Sequence, residues 1–192
     1  MLRVLTAATM ALGVATAAIP TTAEAGLIGK QLNAVYYVPD TSTPYANASF
    51  APPNFTVGAG QETVGDVEGV TQLLVDFTDN GLTITLQTSL STPTWNGAAF
   101  NGIIFTSPGP LGIAGATADP STTMTGFDDS RVSVNADQIL INWNGLSYVN
   151  GTVVKVDFAS VPEPATMAVL GVGLLGLVAA RWRHARPRPA TA

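Results

Sequence analysis

An apolar tract near the carboxyl end constrains this chain more than any other feature. Between Ala165 and Ala180 the only side chain with a hydrogen-bonding group is that of Thr166. A helix of a small soluble domain has a polar side that faces water, so a helix that is apolar on every side is not expected there. About 16 residues at ~1.5 Å each span roughly 24 Å, and flanking side chains can extend that toward a hydrocarbon core of about 30 Å. The tract therefore predicts a transmembrane helix over residues 165–180, with a buried C-terminal helix as the alternative.

A cluster of arginines follows the tract directly. Its members are Arg181, Arg183, Arg186 and Arg188, with no acid among them. Basic residues beside a membrane helix stay on the cytoplasmic side, so the cluster predicts membrane retention with the C terminus inside and the N terminus outside. A nucleic-acid-binding patch is the competing interpretation of a basic run, and the neighbouring apolar tract disfavours it.

A short rigid motif precedes the tract. Pro162 and Pro164 fix φ on either side of Glu163, and each pushes the residue before it toward extended geometry. The motif is thus a stiff, exposed, acidic strand next to the predicted helix. With Val161 before it, the order of motif, apolar tract and arginines over residues 161–188 resembles the PEP-CTERM sorting signal of Gram-negative bacteria.

This resemblance implies a processing enzyme and a destination. An exosortase, a membrane-embedded cysteine transpeptidase-like enzyme, would recognise the segment Val161, Pro162, Glu163 and Pro164. The precursor would be held transiently in the inner membrane and then sorted to the cell surface or the extracellular exopolysaccharide matrix. Similar tails are also catalogued as the C-terminal domain of ice-binding proteins, which describes the tail and does not predict ice binding.

Residues 1–25 have the features of a secretory signal peptide. Arg3 is the only base in this stretch, and an apolar run follows it. Ala23 and Ala25 supply the small-x-small cleavage pattern, so we expect the mature chain to begin at Gly26, with an uncleaved N-terminal anchor as the alternative. The two end segments leave one exported domain at residues 26–160, which is long enough to bury a core of its own.

The charge of this exported domain restricts its partners. Lys30, Arg131 and Lys155 are its only bases, whereas 11 acids remain when Glu24 and Glu163 are subtracted from the 13 of the whole chain. An acidic surface disfavours nucleic acid as a partner and favours solubility or cation binding.

Two residue types are missing from the exported domain. The chain has no cysteine, and its single histidine is His184, within the predicted cytoplasmic flank. A disulfide framework, a thiol nucleophile and a histidine-based catalytic triad are therefore excluded for the exported domain, as are most zinc sites.

The composition of the domain favours β-structure. Threonine, valine, glycine and asparagine are frequent and helix-forming charge patterns are scarce, which predicts an all-β fold, an antiparallel β-sandwich or jelly roll. The clearest local signal is Asn80-Gly81, which predicts a type I′ hairpin turn. Pairing across that turn sets Phe77 against Ile84 on the apolar face and leaves Asp76 on the polar face.

Five further strands are predicted, and in the last of them Val154, Val156 and Phe158 alternate with Lys155 and Asp157. The five strands cover residues 34–38, 102–106, 131–135, 138–143 and 152–158. Residues 45–68 contain many prolines and glycines, and we expect a long loop or edge region there.

Two similar segments each begin with Trp-Asn-Gly. Residues 95–102 and 143–151 both continue with an aromatic residue five positions after the tryptophan, and then with Asn-Gly. We interpret them as two similar turn-and-strand corners rather than as a duplication. The functional alternative is that Trp95 and Trp143 bind a ligand as paired aromatic platforms for a sugar, although tryptophans of small sandwiches usually belong to the core.

Paired carboxylates are the only candidate catalytic groups in the exported domain. The candidate pairs are Asp76 with Asp79 and Asp128 with Asp129, and a glycosidase needs two carboxyl groups about 5–10 Å apart across its substrate. Solvated loop residues are the simpler interpretation. The same two segments offer oxygen ligands for calcium, although neither has the alternating carboxylates of an EF-hand loop.

Together these features predict a non-enzymatic exported protein with a structural or adhesive role and no cofactor. The alternative is a carbohydrate- or calcium-binding module of the exopolysaccharide matrix. A hydrolase that uses Asp128 and Asp129 is the third function class that the sequence leaves open.

Overall fold

The computed structural model describes residues 26–161, which fold into two antiparallel β-sheets. The strands are β1 (Gln31–Tyr37), β2 (Ala48–Ala51), β3 (Asn54–Thr56), β4 (Thr63–Val67), β5 (Thr71–Phe77), β6 (Gly81–Thr88), β7 (Gly102–Thr106), β8 (Ile113–Ala118), β9 (Val132–Val134), β10 (Gln138–Asn142) and β11 (Thr152–Ser160). One 3-10 helix, Asp129–Arg131, is the only helix in this part of the chain. Within the same range no helix is long and apolar enough to span a bilayer.

The two sheets contain five and six strands. Their orders are β3-β1-β7-β10-β9 and β2-β4-β5-β6-β11-β8, and every neighbouring pair is antiparallel. The predicted all-β antiparallel class is therefore confirmed. The central β4-β5-β6 meander distinguishes the arrangement from an eight-stranded jelly roll, which is built from two Greek keys.

The two sheets pack on one apolar core. Phe77 of the six-stranded sheet meets Phe105 of the five-stranded sheet edge to face, with ring centres 5.0 Å apart. Ile84 and Ile139, again from opposite sheets, are completely buried. Because burying each such side chain contributes roughly 1.5–3 kcal/mol, this shared layer is the main force that holds the sheets together.

The β5–β6 hairpin forms where predicted, but its register is shifted by two residues. Phe77 pairs with Leu82 instead of Ile84, and residues 79–80 make the connection because Gly81 already belongs to β6. The φ of Gly81 is not positive, and a Cβ there would lie 3.2 Å from a backbone carbonyl oxygen of β11. This glycine therefore serves close strand packing, and the predicted type I′ turn at this position is wrong. A shift of two residues keeps every side chain on its predicted face.

The expectation of a long loop or edge region at residues 45–68 is right for the edge and wrong for the loop. This stretch forms three strands, β2, β3 and β4. The first two are edge strands, but β4 is paired on both sides. Gly65 and Asp66 interrupt its run of β-forming residues and hide the strand in the sequence, whereas in the fold Gly65 leaves room for the ring of Phe50.

Several predicted segments lie outside the described residues. They are the signal peptide with Ala23 and Ala25, the motif residues Pro162, Glu163 and Pro164, the apolar tract at residues 165–180, and the arginines Arg181, Arg183, Arg186 and Arg188. Their structural roles stay predictions.

The sandwich has two ends that differ in what they contain. We call one the terminal end; it contains Gly26, Asp79, Asn80, Gly112 and Val161, and so both limits of the described chain. We call the other the aromatic end; it contains Tyr36, Trp95, Trp143 and Tyr148. Strand β5 runs between them, and its six residue steps at about 3.3 Å each correspond to roughly 20 Å.

Candidate functional site

Four aromatic side chains from distant parts of the sequence meet at the aromatic end. Tyr36 comes from β1, Trp95 precedes β7, and Trp143 and Tyr148 follow β10. Each is less than a tenth exposed, and Trp143 is completely buried. Neighbouring ring centres lie between 4.6 and 6.1 Å apart, which is the range of direct aromatic contacts.

The Tyr36 hydroxyl connects this cluster through hydrogen bonds. The Trp143 Nε1–H donates to that hydroxyl at 2.7 Å, and the hydroxyl donates to Asn101 Oδ1 at 2.7 Å. Asn101 donates in turn from Nδ2 to the backbone oxygen of Asn96 at 2.9 Å. Burial raises the pKa of Tyr36 far above its ordinary value, so its hydroxyl is a neutral donor at physiological pH.

The Trp95 ring stacks on two neighbours. Its centre lies 5.3 Å from that of Trp143 and 4.6 Å from that of Tyr148, with interplanar angles of 22° and 15°. Its Nε1 is buried and has no hydrogen-bond partner within the described residues. The structure thus places both predicted platform tryptophans in the core. Ligand binding by Trp95 or Trp143 stays a prediction, and it would involve the edge of Trp95 rather than two open ring faces.

The two Trp-Asn-Gly segments lie against each other. The Trp95 N–H donates to the Leu146 backbone oxygen at 2.9 Å, and the Gly145 N–H donates to the Trp95 oxygen at 3.0 Å. The segments are not the similar corners that we expected, because Gly145 has a φ of 72° whereas Gly97 has no positive φ. They form one paired corner, which brings the two tryptophans together.

A pocket of about 180 Å³ opens beside the aromatic cluster. Its aromatic walls are Tyr36, Tyr45, Trp95 and Tyr148, and its polar lining residues are Glu68, Thr71, Thr94, Asn96 and Asn101. The described lining contains one carboxylate and no base. Anions are therefore disfavoured, while neutral or cationic molecules that carry hydroxyl groups match the chemistry of the walls.

Glu68 adopts an unusual backbone conformation at the rim of this pocket. Its φ is 58° and that of Gly69 is 68°, the two positive values that a type I′ turn requires. A glutamate in this region carries strain on the order of 1–3 kcal/mol, and such strain is concentrated at functional sites. The carboxylate accepts a hydrogen bond from the Tyr45 hydroxyl, which raises the pKa of Tyr45. Strain and an accessible carboxylate together make Glu68 a candidate binding residue.

A wider depression of about 480 Å³ lies on the outer face of the five-stranded sheet. Its polar lining includes Gln31, Asn33, Asn54, Thr56 and Thr106. The Asn33 Nδ2 donates to Asn54 Oδ1 at 2.9 Å, and none of the five strands of this sheet contains a charged residue. The outer face of this sheet is therefore uncharged, and its polar side chains lie beside an apolar row formed by Val35, Ile104 and Leu140.

The predicted carboxylate pairs take part in local turns. Asp128 Oδ1 accepts hydrogen bonds from the hydroxyl and the backbone N–H of Ser130, which hold the Asp128 pKa below its usual range. Asp129 Oδ1 accepts from the Ala118 N–H at 2.8 Å. Within residues 26–161 no group of three or more histidine, cysteine or acidic side chains can hold a metal ion, so the calcium hypothesis has no ligand cluster in that range.

Sequence reasoning did not identify Tyr36 and Glu68 as members of a site. Alternation in β1 is sufficient to place Tyr36 inward, but its hydrogen-bond partners lie 65 and 107 residues away along the chain. Glu68 gave no signal, because Glu-Gly is not one of the residue pairs that favour a type I′ turn. Only the repeated Trp-Asn-Gly pattern indicated that two segments far apart in the sequence belong to the same site.

Of the predicted processing residues, the structure describes Gly26 and Val161. Gly26 is buried against the carboxylate of Asp79. Val161 is 46% exposed, and its N–H donates to the Gly112 backbone oxygen at 2.8 Å. The residue before the Pro-Glu-Pro motif is thus accessible and directly follows β11.

Comparison with known proteins identifies one segment of the chain. No curated protein and no solved structure matches the chain. A family model described as the PEP-CTERM protein-sorting motif matches residues 160–183, which contain the Pro-Glu-Pro tripeptide, the apolar tract and the first two arginines of the cluster. The predicted sorting motif is confirmed, and it implies an exported, membrane-anchored precursor that an exosortase processes.

Proposed function

We propose that this protein is a non-enzymatic component of the cell surface or the extracellular matrix, with a structural or adhesive role. The sorting motif carries the proposal, because it directs the exported domain to the outside of the cell. The domain attached to it is a compact two-sheet sandwich, an architecture common among surface proteins that act by binding rather than by catalysis.

The positions of the two chain limits support this role. Gly26 and Val161 both lie at the terminal end, so the sorting segment continues from that end of the sandwich. The aromatic end, with its pocket, lies roughly 20 Å from both of these residues along the strands.

The local bonding of the acidic residues supports a role without catalysis. Asp79, Asp128 and Asp129 each accept hydrogen bonds from backbone N–H groups of nearby segments. A carboxylate engaged in this way stabilises a turn. Bonding of this kind favours a structural role over the paired-carboxylate chemistry that glycoside hydrolysis requires.

Sorting through the motif is tested by Glu163→Gln in the full chain. We expect the variant to remain in the inner-membrane fraction with its tail intact, whereas the natural chain is processed and leaves that fraction. The matched control is Asp157→Asn, which removes one acid from β11 and leaves the motif unchanged. Fractionation with intact-mass analysis reads out both; unchanged mass and location of the Glu163 variant would contradict the proposal.

A second candidate function is the binding of an uncharged saccharide at the aromatic end. The strained, accessible Glu68 beside a pocket with aromatic walls favours it, because carboxylates accept hydrogen bonds from sugar hydroxyls and aromatic rings pack against the C–H groups of sugars. The unpaired Trp95 Nε1 is a further donor that lacks an acceptor within the described residues. The uncharged outer face of the five-stranded sheet offers such a polymer additional polar contacts.

A glycan array probed with the processed protein tests this second function. We expect binding of neutral glycans to weaken at least tenfold, or about 1.4 kcal/mol, in Glu68→Gln, which keeps the size of the side chain and removes its charge. Asp76→Asn removes the same charge on the outer face of β5 and should leave binding unchanged. Absence of glycan binding by the natural protein, or equal binding by Glu68→Gln, would refute the assignment.

A further inference from the structure

The first described residues form hydrogen bonds with the turn between β5 and β6. The Leu27 N–H donates to the backbone oxygen of Asp79 at 2.9 Å, and the Ile28 N–H donates to Asp79 Oδ1 at 3.3 Å. Leu27 is 1% exposed and belongs to the core. The amino-terminal segment is therefore an integral part of the sandwich from Gly26 onward.

Gly26 packs directly against the carboxylate of Asp79. A Cβ added to Gly26 would lie 1.8 Å from Asp79 Oδ1 and 2.4 Å from Oδ2, so only the absence of a side chain allows this approach. Because a Cβ is about 1.5 Å from its Cα, both the Cα and the backbone nitrogen of Gly26 lie within a few ångströms of the carboxylate oxygens.

The bases of the described residues are occupied elsewhere. The Lys30 Nζ donates to the Pro110 backbone oxygen at 3.0 Å, and the Arg131 Nη1 donates to the Asn144 oxygen at 2.9 Å. The third base, Lys155, lies near Asp119, where its charge helps to lower the pKa of that carboxyl. The Asp79 carboxylate thus faces the start of the domain with no Lys or Arg among the described residues as its partner.

We propose that Asp79 is the binding site for the free amino terminus that export processing creates. Hydrolysis of the bond between Ala25 and Gly26 adds the hydroxyl of water to the Ala25 carbonyl and its hydrogen to the Gly26 nitrogen, which then takes up a further proton from solvent. The amide N–H becomes an α-ammonium group with three donors and a positive charge at neutral pH. That group lies beside the carboxylate and forms an ion pair with it.

The pair makes the processed domain more stable than its precursor. In the precursor the same nitrogen is a neutral amide and offers Asp79 no charge. After cleavage, a charge-assisted hydrogen bond ties the first residue of the mature chain to the β5–β6 turn. The inference rests on export of the domain and adds a consequence of that export, which is that cleavage at Gly26 completes the terminal end.

A double-mutant cycle on the exported protein tests the ion pair. One change is Asp79→Asn, which keeps an oxygen for the Ile28 N–H and removes the charge. The other is an insertion of Gln-Gln between residues 25 and 26, which moves the new amino terminus away from the carboxylate and does not recreate the small-x-small pattern before Gly26. Each protein is expressed as the full chain with its own signal peptide, isolated from the envelope of a Gram-negative host, and analysed by intact mass and thermal unfolding.

In the natural background we expect Asp79→Asn to lower Tm by about 2–4 °C, the size of shift that one modest ion pair produces in a domain of this length. In the background with the insertion we expect the same substitution to have no effect. Asp76→Asn, three residues earlier in β5, is the matched control and should leave Tm unchanged in both backgrounds.

Two results would overturn the inference. One is a mature chain that begins at a residue other than Gly26. The other is an equal effect of Asp79→Asn in both backgrounds, which would mean that the carboxylate acts only on the turn. If the Asp79→Asn protein does not accumulate, the insertion alone tests the ion pair. The protein with the insertion retains Asp79 but not its partner, so its Tm must be lower than that of the natural protein. Fractionation of the same samples reports sorting separately, so a failed ion pair is distinguishable from failed export.

Discussion

The aromatic end and the terminal end of the sandwich are held together by different kinds of interaction. At the aromatic end, buried rings stack and a single tyrosine hydroxyl joins a tryptophan to an asparagine. At the terminal end, main-chain bonds predominate, such as those from Leu27 to Asp79 and from Phe158 to Asn80. The aromatic end thus depends on a network of buried rings, whereas the terminal end combines backbone pairing and one carboxylate with buried side chains such as that of Leu27.

This difference indicates how substitutions at each end should affect the stability of the domain. Removing a buried ring leaves a cavity that the surrounding core cannot fully close, so the cost is large. Main-chain bonds survive most substitutions, so changes at the terminal end should have small effects.

The largest expected effect is that of Trp143→Ala at the aromatic end. Trp143 is completely buried, stacks on Trp95 and donates to Tyr36, so we expect a loss of about 3–5 kcal/mol in the free energy of unfolding. Denaturant unfolding measures the loss, and near-UV circular dichroism should report the lost stacking. Ile28→Ala, at an exposed position of the terminal end, should change stability by less than about 0.5 kcal/mol. Equal losses in both variants would contradict the contrast between the ends.

The next effect is that of Tyr36→Phe, which removes one oxygen and retains the ring. Trp143 Nε1 loses its acceptor and Asn101 Oδ1 loses its donor in a buried place, which should cost about 1–3 kcal/mol. The matched control is Tyr37→Phe, because Tyr37 follows in the same strand, faces the opposite side and is only partly buried. If the two variants are equally stable, the hydroxyl network does not stabilise the aromatic end.

Alkaline pH tests the same network without mutation. Burial raises the pKa of Tyr36 above its ordinary value of 10.0, and burial also raises that of Tyr148. A raised pKa means that the folded state favours the neutral hydroxyl, so the stability from these groups is fully present below about pH 10 and is lost as the pH rises further. We expect Tm to fall steeply above pH 10 in the natural protein and less steeply in Tyr36→Phe. Parallel curves for the two proteins would contradict the assignment.

The sequence was informative about which residues face the core. Alternating burial is a local property of a strand and is present in β10 and β11, whereas β7 is buried at four successive positions. The sequence predicted these three strands and both faces of the β5–β6 hairpin. The register of that hairpin was not predicted correctly from the sequence. The close approach of β11 to Gly81, a contact between residues far apart in the chain, decides what that glycine does.

The candidate site could not be predicted in the same way. Trp95 and Trp143 were visible as a repeated pattern, but their stacking depends on a corner in which residues 93–95 pair with residues 145–148. The pocket also depends on Glu68, whose positive φ contradicts local propensity. Tertiary contacts impose such a conformation, and a single sequence contains no local signal of it.

Glu68→Asn separates strain from binding at the aromatic end. Asparagine tolerates positive φ better than glutamate, so we expect relief of strain to raise the free energy of unfolding by about 0.5–1 kcal/mol. The shorter, uncharged side chain should at the same time weaken any saccharide binding. Thermal unfolding and the glycan array measure the two effects on one protein. A variant that is less stable than the natural protein would show that the bond to Tyr45 outweighs the strain.

The smallest expected effect is that of Gly26→Ala at the terminal end. The added Cβ collides with the Asp79 carboxylate, which is the free end of an exposed side chain and can rotate away, whereas the backbone bond from Leu27 to Asp79 is retained. The variant loses the bond from the Ile28 N–H and the contact with the new amino terminus, so we expect a loss of about 1 kcal/mol or less. Combining it with Asp79→Asn should add nothing further, because both changes remove the same interaction. If Gly26→Ala costs as much as Trp143→Ala, the terminal end is held by side-chain packing after all, and the contrast between the two ends is refuted.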